Sequence, residues 1–159
     1  MILEQNTPSD EPSPAQSGAQ SFVLPEPSES SVEEKKRILI VDDDCVQNEI
    51  LEFCFRKIGY DSVAASCGDT GFAKAKEIRP DLILLDIEMP GMNGLEVCRQ
   101  LIDNPETCEI PIIILSGHDG IDIVRDARSA GCHYFIRKPY DPNALLTLVQ
   151  AAIKESSDW

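Results

Sequence analysis

At 159 residues the chain is long enough for one domain of ordinary size with a real core. It carries 28 acidic against 14 basic side chains, a formal net charge of −14, which argues against nucleic acid as a direct ligand because phosphate contacts need clustered Lys and Arg. No apolar run approaches the ~20 residues that span a bilayer, and no basic start leads into an apolar stretch, so the expectation is a cytoplasmic protein with neither membrane association nor a secretory signal.

Residues 1–34 are rich in Pro, Ser, Glu and Gln and hold seven acids and no base. Such a segment buries too little apolar surface to offset its ordering entropy, so a disordered acidic tail is expected. Its apolar island, Phe22-Val23-Leu24, reads as an incidental cluster or a docking motif. The folded domain is expected over 35–155, with 156–159 as a short end. Six cysteines (Cys45, Cys54, Cys67, Cys98, Cys108 and Cys132) form no CxxC pair and read as reduced, mostly buried small hydrophobes.

The pattern changes at Lys35. Arg37 to Val41 is a short apolar run ending in acids, as a buried parallel strand does. Asp44 is placed to cap a helix from Cys45 to Ile58, which Gly59 ends. A second strand is expected over Tyr60 to Ala65 and a second helix over Asp69 to Ile78, stopped by Pro80. Leu82 to Leu85 is a third strand. Gly94 to Asp103 is a helix with Leu95, Val97, Cys98, Leu101 and Ile102 inward. Ile112 to Leu115 is a fourth strand, Asp119 to Ala130 a helix ended by Gly131, and Tyr134 to Ile136 a fifth strand. Asp141-Pro142 opens the last helix as N-cap and first turn, and it is expected to run to about Lys154.

Five strands alternating with five helices demand an α/β doubly wound parallel sheet covered on both faces. With right-handed crossovers the economical order is flavodoxin-like, 2-1-3-4-5, with its switch point between strands 1 and 3. Ligands in such sheets bind beyond the carboxyl ends of the strands. The residues there are Asp42, Asp43 and Asp44 after strand 1, Asp86 after strand 3, Ser116 after strand 4 and Lys138 after strand 5. Carboxylates ~4 Å apart repel by about 4 kcal/mol at an effective dielectric near 20, so converging acids need a proton or a cation, and hard oxygen ligands suit Mg²⁺. A hydroxyl and an ammonium beside them complete a site for a phosphoryl group. Solvated helix capping is the plainer role for such acids; it fits Asp44 well and the other three poorly.

Four segments in this order resemble a response-regulator receiver domain: Ile38-Leu39-Ile40-Val41-Asp42-Asp43-Asp44, Leu82 through Asp86-Ile87-Glu88-Met89-Pro90-Gly91-Met92-Asn93-Gly94, Ile113-Ile114-Leu115-Ser116-Gly117, and Lys138-Pro139. The resemblance covers about Lys35 to Lys154. It implies that Asp86 is the phosphoacceptor, and that Asp43, Asp86 and the backbone carbonyl of Glu88 ligate Mg²⁺, with Asp42 acting through water. Lys138 would hold the phosphoryl group, with a cis peptide before Pro139. Ser116 would be the switch hydroxyl, Gly117 leaving space beside it, and Phe135 the switch aromatic or a plain core residue. Glu88 and His118 would influence phosphate lifetime.

The function this implies is a phosphorylation-dependent switch rather than an enzyme in the usual sense. It would take a phosphoryl group from a histidine kinase or phosphotransfer protein, signal to a protein effector and lose the phosphate to water. The first helix (Val46, Gln47, Ile50, Leu51) would carry kinase specificity. The fourth helix, fifth strand and fifth helix would form the readout face, with a homodimer through it left open. With its end at Trp159 the chain reads as a stand-alone regulator or a fragment of a longer one. Two alternatives stand beside this reading. One is a haloacid-dehalogenase-type phosphatase with Asp42 as nucleophile, since Asp42 to Val46 fits that family's first motif. The other is a receiver-like scaffold that is never phosphorylated.

Overall fold

The computed structural model describes residues 33–118 and 120–158. The Phe22-Val23-Leu24 island and nearly all of the expected acidic tail lie outside these residues.

The elements follow in the order β1 (Arg37–Val41), α1 (Cys45–Lys57), β2 (Asp61–Ala65), α2 (Gly68–Ile78), β3 (Leu82–Asp86), α3 (Gly94–Asp103), β4 (Ile112–Ser116), α4 (Ile121–Ser129), β5 (Tyr134–Arg137) and α5 (Pro142–Ser157). The strands form one parallel five-stranded sheet in the order β2-β1-β3-β4-β5. This is the doubly wound arrangement that the alternation of apolar runs and amphipathic segments demands.

Side chains alternate across the sheet and build two cores. Leu39, Val41, Ile83, Leu85, Ile112 and Ile114 pack with α2, α3 and α4 through Ala75, Val97, Cys98, Leu101 and Ala127. Ile38, Ile40, Leu82, Leu84, Ile113 and Leu115 pack with α1 and α5 through Leu51, Phe55, Leu145 and Val149. The three central strands are apolar on both faces because both faces are covered. Each fully buried Leu or Ile contributes about 1.5–3 kcal/mol.

Several boundaries differ from the expected ones. Strands β3 and β4 each run one residue further, so Asp86 and Ser116 are the last rungs of the sheet rather than loop residues. Helix α2 begins at Gly68, which has no room for a side chain because a Cβ there would lie 2.7 Å from Val97 Cγ2. Helix α4 begins at Ile121 behind Gly120, which offers no side-chain cap, and Asp119 is outside the described residues. Helix α5 continues to Ser157, past Lys154 and into the segment expected to be a short end.

Two further expectations are corrected. Cys98 is buried, but Cys45 and Cys54 are exposed on the solvent side of α1, and Cys67, Cys108 and Cys132 are intermediate. Leu51, expected to face a partner, is only 7% exposed because it shares the inner side of α1 with Phe55. Val46 and Ile50 do face solvent. No helix of the described residues is long and apolar enough to cross a membrane.

Candidate functional site

The site follows from the strand register. Val41 pairs with Leu85, so Asp42 and Asp86 come next on neighbouring strands. Asp86 pairs with Leu115, so Ser116 stands one step beyond. Ser116 pairs with Arg137, which sets Lys138 at the lip, where its backbone N–H donates to the Ser116 carbonyl over 2.7 Å. Residues 96 apart in sequence thereby meet: Lys138 Nζ lies 3.1 Å from Asp42 Oδ2 and 3.5 Å from Asp86 Oδ1.

Asp42, Asp43 and Asp86 offer carboxylate oxygens that all lie within 4.8 Å of one another; Asp42 and Asp86 are buried and Asp43 is exposed. Asp44 is not among them, because it caps α1 by accepting from the N–H groups of Val46 and Gln47. Its own N–H donates to Asp42 Oδ1 over 2.9 Å, so both oxygens of Asp42 are engaged.

Burial raises the pKa of Asp86 to about 6, and the charge of Asp42 pushes it the same way, while Lys138 and a backbone hydrogen bond from Glu88 pull it down. Burial works against the Lys138 ammonium, but the carboxylates of Asp86 and Asp42 outweigh it and hold the pKa above its usual value. Three carboxylates and one ammonium leave a formal charge of −2 once all are ionised. Hard oxygen donors carrying that charge at an open edge fit a small divalent cation that keeps part of its water.

Ser116 is fully buried, and its Oγ accepts from the His118 N–H over 3.1 Å. A Cβ on Gly117 would stand in ordinary contact with Glu88, 3.4 Å from its Oε1. His118 and Glu88 meet across the mouth of the site, with His118 Nε2 3.4 Å from Glu88 Oε1. The Lys138–Pro139 peptide is cis, as expected. Phe135 is half-buried against the core on the α2-α3-α4 side of the sheet. Asn48 was not anticipated in the site. It is buried beneath it, and its Nδ2 donates to the Asp42 carbonyl over 2.8 Å.

The family model of the response regulator receiver domain matches residues 38–150, which include every one of these residues. The chain belongs to the response-regulator receiver family.

Receiver domains are the switches of two-component signalling, and the family match favours that reading over the phosphatase alternative. The chain is 37% identical over 125 residues to the DNA-binding response regulator MtrA of Mycobacterium tuberculosis, covering 78% of this chain and 53% of MtrA. It is 36% identical over 117 residues to protein PilH of Pseudomonas aeruginosa, covering 74% of this chain and 97% of PilH. Thus it spans about half the length of the MtrA relatives and nearly the whole of PilH. Among solved structures, a CheY-like receiver domain protein from Methanospirillum hungatei superposes with a TM-score of 0.74 at 27% identity, over 78% of this chain and 98% of that one.

Proposed function

We propose that Asp86 accepts a phosphoryl group from a phosphohistidine of a histidine kinase or phosphotransfer protein, and that the resulting acyl phosphate switches this receiver between two states. The observation that carries this reading is the convergence of Lys138 on two buried carboxylates, Asp42 and Asp86, beside a third, Asp43. Asp86 is the nucleophile: one of its oxygens bonds to phosphorus as the phosphorus–nitrogen bond breaks and the imidazole leaves. A carboxylate with a pKa of about 6 is mostly ionised at neutral pH and can act in that way.

The donor set fits Mg²⁺, held directly by Asp43, Asp86 and the Glu88 backbone carbonyl, with Asp42 reaching it through water. Bound Mg²⁺ would neutralise charge on the phosphoryl oxygens and relieve repulsion among the acids. Lys138, already against Asp86, is placed to pair with a phosphoryl oxygen as a point charge. Ser116 accepts from His118, and a hydroxyl that accepts can still donate its own proton to a phosphoryl oxygen. New bonds to Ser116 and Lys138 then bias the equilibrium, with Phe135 as the aromatic that responds and α4, β5 and α5 as the face read by a protein effector or a second copy. Water ends the signal. Glu88 and His118, paired at the mouth, influence how long it lasts.

Incubation with Mg²⁺ and acetyl phosphate tests the assignment. The protein is expected to gain an acid-stable, base-labile label that Asp86→Ala removes entirely; label that persists in Asp86→Ala contradicts it. Label decay is expected to change in Glu88→Ala or His118→Ala, and unchanged decay in both removes these residues from the account. The rival use of Asp42 as nucleophile predicts the reverse, label that Asp42→Ala removes and Asp86→Ala leaves in place.

A further inference from the structure

Asn48 lies on the inner side of α1, 5% exposed, where the neighbouring inward positions are Leu51 and Phe55. Among the described residues its Oδ1 is the one buried side-chain oxygen or nitrogen without a hydrogen-bond partner. Burying an amide and leaving half of it unsatisfied is unfavourable, and a leucine of similar size would fill the space without that penalty. The other half of the amide explains what the asparagine does. Its Nδ2 donates to the carbonyl of Asp42 over 2.8 Å and to the carbonyl of Ala65 over 3.4 Å. A side-chain NH₂ presents two donors from one atom, which a hydroxyl cannot. The two acceptors are where β1 and β2 come to their carboxyl ends, and the Asp42 N–H also donates to Ala65. Asn48 therefore ties the first turns of α1 to both strand ends at the point where the chain leaves the sheet.

The tie matters because of what hangs from it. Asp42 is held at its carbonyl by Asn48, at Oδ1 by the Asp44 N–H and at Oδ2 by Lys138. The other two are a loop amide on an exposed residue and a lysine ammonium at the lip; from inside the core Asp42 is anchored by Asn48 at its carbonyl and by the end of β2 at its N–H, which donates to Ala65. We infer that Asn48 is a positioning residue of the phosphoryl-transfer site, fixing Asp42 and the turn that carries Asp43 so that the carboxylates converge with Asp86. This rests on the receiver reading above and adds a residue to it.

The inference separates fold from site. Asn48→Leu removes both donors and the unpaired oxygen while keeping the core filled; relief of Oδ1 offsets the Asp42 carbonyl left without its donor, so its urea midpoint should stay close to that of the wild type. Its Mg²⁺ dissociation constant, measured calorimetrically without phosphodonor, should rise at least about 10-fold, as loss of a group that orients a metal's ligands does. Its labelling by acetyl phosphate should slow by a similar factor at subsaturating Mg²⁺. Asn48→Ala, tested at a temperature where it is folded, gives an independent comparison: its midpoint should fall and its Mg²⁺ affinity should drop by the same factor as in the leucine variant. Wild-type Mg²⁺ affinity in either folded variant overturns the inference. Failure of the receiver reading is a different result, a wild-type protein that takes no label on Asp86.

Discussion

At Asp86 burial and charge are in conflict. Its carboxyl ionises at about pH 6 in the folded protein against an ordinary value of 3.8, with burial the main cause and Asp42 the second. The folded state thus holds this proton more tightly than the unfolded one. The contribution to stability is most favourable below the unfolded value and is lost as pH rises through the folded one. At about 1.4 kcal/mol per unit, the loss between pH 4 and pH 7 is on the order of 3 kcal/mol. Asp86→Asn carries no such charge. Without Mg²⁺, its unfolding free energy in urea should therefore exceed that of the wild type by an amount that grows across this range and flattens above about pH 7. Saturating Mg²⁺ should shrink the difference, because only the wild type keeps the full ligand set. A difference independent of pH would show that Asp86 is not in this environment. The residues of the pocket were legible in the sequence for one reason: each lies within two residues of the end of an apolar run, and in a parallel sheet all such positions lie on one edge. Asn48 was not legible, since a polar residue at an inward helical position has no pattern of its own and acquires meaning only from the carbonyls it meets. Leu51 was misread for a related reason, as the faces of a short helix are decided by the sheet it packs on.

At the scale of elements, the connection from β3 to α3 fixes where Asp86 points. The Gly94 N–H donates to the Ile87 carbonyl, and a Cβ on Gly94 would stand 2.1 Å from the Asp86 carbonyl oxygen and 2.7 Å from Ile87 Cα. Backbone approaches this close leave glycine as the residue that fits. Just before it, Asn93 caps α3 with Glu96 in a reciprocal capping box. Gly94→Ala should therefore destabilise the fold by about 3 kcal/mol or more and displace Asp86, and Asn93→Ala should cost about 1 kcal/mol, both read from urea or thermal unfolding. An Asn93→Ala loss as large as that of Gly94→Ala would contradict the close-approach argument. The existence and type of every element were readable from the sequence, as were both ends of β1 and α3, while several other ends were not. Helix α2 starts one residue before its expected first residue Asp69, at Gly68, which sits against Val97 and the Met92 backbone. Helix α4 starts later than expected, behind a glycine with no side-chain cap. Strands β3 and β4 lengthen because their neighbours continue to pair with them. These contacts join segments distant in the chain, and local sequence does not record them.

Across the whole molecule, one sheet accounts for both stability and chemistry. Its centre is a set of aliphatic side chains buried on two faces, which makes the strand ends rigid. Its carboxyl edge then holds acids at distances where they repel, and Lys138 only partly compensates them. The strand order β2-β1-β3-β4-β5 puts β1 beside β3, which is why acids from the first and third strands meet and why a lysine following the fifth closes the site from the far side. Asp86 is the residue proposed to carry the phosphoryl group. The direct measurement is mass spectrometry of the protein labelled by acetyl phosphate with Mg²⁺ and then reduced with borohydride, which converts an aspartyl phosphate to homoserine. Homoserine is expected at position 86 and nowhere else, and none when Mg²⁺ is removed with a chelator. Homoserine at position 42, or label that forms equally well without Mg²⁺, would contradict it.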